Sequence, residues 1–212
     1  MKKILALSLV ITMLLLMVSC DYLPFFQNST GGTKKSGELS RGTISGRVYK
    51  SEYLGLSFKK PITWKYATDE EIAEALNLGV DMLFKDDFKE ALENVPAIYD
   101  MMAVDNITGS NVSVGFENLA RSLASNITVE QYIDVLEKQF ANMTNMRVTF
   151  PDEYDTVTLG QTEFTRVICK VKAVGSSMDQ IYYLNKEGKY MRYIIVTLKS
   201  GYTVEEIEAM FS

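Results

Sequence analysis

Histidine is absent from all 212 residues of the chain. That one absence removes Ser-His-Asp and Cys-His catalysis, imidazole general bases and histidine-ligated metals. Cysteine occurs twice, as Cys20 and Cys169, which is too few for a CxxC metal site or a disulfide framework. Glycine (13) and proline (4) are too scarce for a collagen-like or low-complexity chain. Basic residues are outnumbered 22 to 27, a formal net charge of −5, which argues against nucleic acid as a partner. A Gly-rich phosphate loop and a G-x-S-x-G elbow are missing as well. What remains is 47% hydrophobic and 23% charged, the composition of one globular domain with an appendage.

The first twenty residues carry the clearest signal. Lys2 and Lys3 form a positive start, and Ile4 to Val18 is apolar except for Ser8 and Thr12. As a helix this run measures about 22 Å at ~1.5 Å per residue. A spanning helix wants about 20 residues, so the run is short for an anchor and suited to a secretory leader. It ends in Met17-Val18-Ser19-Cys20. A small residue before a cysteine, after an apolar stretch, resembles the lipobox of bacterial lipoproteins. Met17 departs from the usual Leu at its position but matches it in size and polarity. The resemblance implies cleavage between Ser19 and Cys20 and a diacylglycerol on the Cys20 thiol. The alternatives are an ordinary signal peptide or an uncleaved anchor, with Cys20 incidental.

Loss of Lys2 and Lys3 from the 22 basic residues leaves 20 against 27 acidic, a net charge of −7 for the mature chain. Such a chain gains nothing from a polybasic contact with anionic lipid, so its anchor has to be the acyl chains. Gln27 to Gly42 is polar except for Leu39 and rich in Gly, Ser and Thr, the composition of a flexible tether. Its sixteen residues reach roughly 20–25 Å. Tyr22, Leu23, Phe25 and Phe26 are expected in the headgroup zone. The division expected is a leader at 1–19, a lipidated cysteine and tether at 20–42, and a globular domain at 43–212.

Within the domain, three T-x-x-E/Q capping boxes announce helices: Thr68–Glu71, Thr128–Gln131 and Thr203–Glu206. Each precedes apolar residues at helical spacing, such as Ile72 and Val80, or Tyr132, Ile133, Leu136 and Phe140. A shorter helix is expected over Asp87 to Asn94, ended by Pro96. Between helices the pattern alternates. Val112, Val114 and Phe116 interleave with Asn111, Ser113 and Glu117, which predicts a strand with one solvated face. Val167, Cys169 and Val171 share a face opposite Arg166 and Lys170. Asn185 to Gly188 marks a hairpin. The strand from Tyr190 to Leu198 is apolar on both sides and so needs a layer above and a layer below. The expected order is ββα(α)ββαβββα. The expected fold class is α+β, a mostly antiparallel sheet in an α/β/α sandwich.

Tyr53-Leu-Gly-Leu-Ser-Phe58, then Pro61-Ile-Thr-Trp64, then a capped helix, resembles the opening of PsbP-like and Mog1-like domains, above all those of Firmicutes lipoproteins. The resemblance covers about 43–212. It implies that proline turns the strand and tryptophan closes the sheet edge. It implies no functional residue.

The candidate chemistry is thin. Trp64, Tyr66, Tyr49 and Tyr53 are candidates for an aromatic binding surface, with a core or edge plug as the weightier reading of a single Trp. Asp86-Asp87 and Asp152-Glu153-Tyr154-Asp155 are acid clusters at turns, without the D-x-D-x-D-G order of a calcium loop. Cys169 reads as a buried small hydrophobe. No catalytic, metal or cofactor site is assigned. The function expected is a membrane-anchored, extracytoplasmic, non-catalytic interaction module, held by Cys20 and docking on an envelope or membrane protein. The alternative is a small-ligand carrier with polar groups converging between sheet and helices. An enzyme is the poorest reading.

Overall fold

The structure is a computed structural model that describes residues 39–76, 88–173, 175–199 and 201–212. Strands β1 (Thr43–Ser45), β2 (Val48–Ser51) and β3 (Leu56–Lys59) form a small antiparallel meander. Strand β4 (Trp64–Tyr66) leaves it and becomes the edge of a larger sheet. Helices α1 (Asp69–Leu76) and α2 (Phe88–Asn94) follow, then β5 (Ala97–Asp105), β6 (Asn111–Asn118), the single turn α3 (Leu119–Ser122) and α4 (Val129–Ala141). The chain closes with β7 (Met146–Thr149), β8 (Asp155–Leu159), β9 (Thr162–Ala173), β10 (Ser176–Glu187), β11 (Tyr190–Leu198) and α5 (Val204–Glu208). The large sheet runs β4-β5-β6-β11-β10-β9-β7, with β8 also on β9, and every pairing in it is antiparallel.

All three capping boxes form. In each, the threonine hydroxyl accepts from the backbone N–H three residues on, at 3.2 Å, and the Glu or Gln side chain accepts from the threonine N–H. Two orphan donors of the first turn are satisfied each time. The expected residue Val80 of the first helix lies outside the described residues.

The last strand explains the layering. Met191, Tyr193 and Ile195 face a core built with α1 and α4, through Ile72, Tyr132, Ile133, Leu136 and Phe140. Ile194, Val196 and Leu198 face a second core, built with β2, β3, α2 and α5 through Tyr49, Phe58, Leu92 and Ile207. Helices therefore lie on both faces of an antiparallel sheet, and the meander shares the second face. Tyr193 can lie flat on its face because Gly115 is opposite it. A Cβ at Gly115 would overlap the Tyr193 ring and hydroxyl. The chain end is locked as well: Ser57 N donates to Ser212 O at 2.7 Å, Lys59 N donates to Met210 O at 2.8 Å, and Phe58 and Phe211 rings lie 4.9 Å apart.

One expectation fails. Asn111, Ser113 and Glu117 do not face water; every residue of β6 is buried. The binary pattern reads polar residues as solvated, but α3 and α4 cover that face, and Glu117 is held there by Tyr132 of α4. The element order is also longer than expected. It gains the β1–β2 hairpin, α3, and the short strands β7 and β8, which pair with opposite ends of β9.

Candidate functional site

The four aromatic candidates do not make a surface. Trp64 is 1% exposed, donates from Nε1 to Tyr202 OH at 2.9 Å, and packs against Phe58. It plugs the sheet edge, which agrees with the core reading of a single Trp. Tyr66 donates its hydroxyl to Arg47 O at 3.0 Å, and burial pushes it up to about 12. Tyr53 lies 5.6 Å from Phe116 with the Arg192 guanidinium over its ring. Tyr49 is fully buried and donates to Asp100 Oδ2 at 2.6 Å.

The acid clusters separate in the same way. Asp155 is held by Arg166, which also donates to Glu208 Oε1 at 2.8 Å, so this charge ties β8 and β9 to α5. The Arg166 guanidinium beside it holds the Asp155 carboxyl below its ordinary value. Asp152 and Glu153 are exposed. No group of three or more metal-ligating side chains occurs among the described residues. Asp86, Asp87, Ser19 and Cys20 lie outside them. Cys169 is buried, and burial pushes its thiol up to about 12, so it is an inert packing residue.

Three features escape the sequence reading. The first is a clamp where the polar stretch ends. Gly42 N donates to Asp100 Oδ2 at 2.8 Å, and Arg41 donates from Nη1 to Asp69 Oδ2 at 2.9 Å. Arg41 Nε also lies 3.5 Å from Asp100 Oδ1, an ionic approach without hydrogen-bond geometry. Burial pushes the Asp100 carboxyl up, and its bonds from Tyr49 and Gly42 oppose that. Asp100 is the unpaired residue of an irregularity in β5, between Tyr99 and Met101.

The second is a buried polar patch under α4. Glu117 accepts from Tyr132 OH, and burial raises its carboxyl to about 7. Farther along the same face, Thr197 lies between Asn111 and Gln180 in register, with Ser113 in the adjacent row. Ser113 Oγ, Thr197 Oγ1 and both ends of the Gln180 amide have no hydrogen-bond partner among the described residues.

The third is the end of the sheet formed by the loops at 60–63 and 106–109. Ile62 is 83% exposed and Ile107 77%. Asn106 joins the loops by donating from N and Nδ2 to Thr63 O at 3.3 and 3.2 Å. No sequence signal marks them, because an isolated Ile in a polar loop reads as noise until its neighbour in space is known. Along the side of that end, an open groove of about 440 Å³ runs between β10, β11 and the start of α5, past Asp179, Lys199 and Tyr202.

No family model and no curated protein matches the chain. Among solved structures it is similar to the solution structure of cyanobacterial PsbP (CyanoP) from Synechocystis, at 12% identity and a TM-score of 0.47, covering 87% of this chain and 97% of that one. It is also similar to a crystal structure from Bacteroides thetaiotaomicron, at 12% identity and a TM-score of 0.41, covering 80% of this chain and 48% of that one. At this level of likeness neither neighbour's role transfers to this chain.

Proposed function

We propose that this chain is a lipid-anchored, extracytoplasmic accessory module that engages another component of the envelope and performs no chemistry of its own. The observation that carries the reading is the clamp at Arg41 and Gly42, placed where the polar stretch of 27–42 meets the domain. In a chain hung from Cys20, the contacts of Arg41 and Gly42 with Asp69 and Asp100 would fix where the tether meets the domain. The ionised groups near the interior have structural tasks that fit the same reading: Arg166 ties β8 and β9 to α5, and Arg192 donates to Tyr53 O at 3.2 Å, joining β11 to the turn before β3.

Fractionation of cells expressing the wild type and Cys20→Ser tests the anchor. The wild type is expected to take up a fatty-acid probe, enter the detergent phase and run smaller than the Cys20→Ser precursor. Equal labelling and equal processing of the two would end the lipoprotein reading.

The ligand-carrier reading has one observation of its own, the unpartnered Ser113, Gln180 and Thr197 between sheet and helices. Each unmade buried bond costs about 1–3 kcal/mol, which an enclosed polar molecule would relieve. Native mass spectrometry of the chain isolated from its host would then show a bound non-protein mass that Gln180→Leu loses.

A further inference from the structure

Large apolar side chains scattered singly over a surface need no explanation. Ile62 and Ile107 are not scattered: two hydrogen bonds from Asn106 to Thr63 O hold their loops side by side. Nor are the loops free to fold the side chains away. Asp105 accepts from Ile107 N at 3.3 Å, Thr108 N at 3.1 Å and Thr108 Oγ1 at 2.7 Å. Lys60 N donates to Arg47 O at 3.0 Å, which fixes the other loop against the β1–β2 turn. The fold presents the two isoleucines at one end of the molecule.

The charge around them runs against the average of the chain. Arg47 and Lys59 are exposed and Lys60 is half-buried beside them. Neither Arg47 nor Lys59 belongs to an ion pair among the described residues. Of the acids near this corner, Asp105 is buried with its oxygens turned into the loop, Glu71 is matched by Lys65 at 2.7 Å and Asp179 by Lys170 at 2.7 Å, while Glu205 lies along the groove on α5. Projecting aliphatic tips beside long cationic side chains suit the interface of an anionic bilayer, where the tips meet the acyl boundary and the cations stay at headgroup level. A protein hot spot would more often centre on Trp, Tyr or Arg.

We propose that Ile62 and Ile107 enter the interface of an anionic phospholipid bilayer while Arg47, Lys59 and Lys60 face its headgroups, giving the domain a second, reversible membrane contact. The proposal rests on the tethered reading for its biological setting. Gly42 is seated on Asp100, five residues before Asp105 along β5, about 17 Å from this end at ~3.3 Å per residue. A tether reaching roughly 20–25 Å allows the contact.

The test uses the whole protein in vesicles of phosphatidylglycerol and phosphatidylcholine in equal parts. An environment-sensitive dye is attached at Ile107→Cys, and in a second variant at Glu163→Cys. Glu163 is exposed on β9, where Asn185 of β10 donates to its carbonyl, at the opposite end of the sheet. The mass of the N-terminal peptide reports acylation of Cys20 separately. If Cys20 is unmodified, the label is carried in a Cys20→Ser background and the vesicles are simply added, so the anchor and the patch can fail independently. The dye at 107 is expected to shift to the blue and to be quenched from the acyl chains, while the dye at 163 stays in water. Ile62→Asp should lower the ratio of shielded to free label about tenfold, the effect of removing one buried aliphatic side chain. High salt, or Arg47→Glu with Lys59→Glu, should release it. Equal access of aqueous quencher to both positions overturns the proposal. Shielding at 107 in native membranes but not on these vesicles also overturns it, in favour of a protein partner.

Discussion

Glu117 should make this protein less stable as the pH rises from about 5 to neutrality. The carboxyl is on β6 under α4, with Tyr132 of α4, Ser122 of α3, Tyr99 of β5 and Tyr193 of β11 around it and no cation among them. Burial raises it from 4.5 to about 7 in the folded chain. Between those values the native state keeps a proton that the unfolded state has released. Unfolding then releases a proton, so stability is fully present below about 4.5 and is lost as pH rises through about 7. At ~1.36 kcal/mol per pH unit the gap corresponds to about 3 kcal/mol, of which roughly 2–3 kcal/mol should disappear between about pH 5 and about pH 8. Glu117→Gln keeps an acceptor for Tyr132 OH and cannot ionise. Urea melts of both proteins over this range, followed by Trp64 fluorescence, should show the variant gaining on the wild type by that amount. Carboxyls held down by cations, such as Asp155 and Glu71, lose their contribution only below about 4, outside the window. Asp100 is displaced in the same direction as Glu117, but it is common to both proteins and cancels in the difference. A difference that stays constant from pH 5 to pH 8 within about 0.5 kcal/mol would refute the reasoning.

Trp64 should emit to the blue in the native state and shift to the red on unfolding, and Trp64→Ala should cost roughly 3–5 kcal/mol in a denaturant melt. A chain beginning at Thr43 should be less stable than one beginning at Leu39 by about 1.5–3 kcal/mol, since it removes the Arg41 and Gly42 contacts to Asp100; equal melting would show the clamp to be idle. Gly115→Ala should destabilise by about 1–3 kcal/mol, because the added methyl meets the fully buried Tyr193, and calorimetry of the pair would read it.

The parts of this fold legible in advance were those with local causes. Each capping box needs only four neighbouring residues, and the two-sided burial of β11 follows from an uninterrupted apolar run. The clamp was not legible, because Gly42 and Asp100 are 58 positions apart and nothing local marks either. The burial of β6 was misread for a related reason: alternation reports polarity, and polarity equals exposure only where no second layer supplies hydrogen bonds. Tyr132 supplies one to Glu117. The candidate aromatics failed as a group because Tyr49, Tyr53, Trp64 and Tyr66 are close in sequence, while the β2–β3 meander and the larger sheet send them to different partners.

Among the described residues strand β11 is the last in chain order and the one that closes the sheet, with β6 on one side and β10 on the other. Before it emerges, β4, β5 and β6 on the one hand and β7 to β10 on the other are two separate half-sheets, and neither core has its central wall. The chain thus has no complete intermediate to settle into while it is being synthesised. Both cores stay open on that side until the residues after Glu187 arrive, and the long-range pairing of β11 with β6, Tyr190 opposite Asn118, makes closure slow. A polypeptide that must be threaded through a narrow channel before folding is served by that delay.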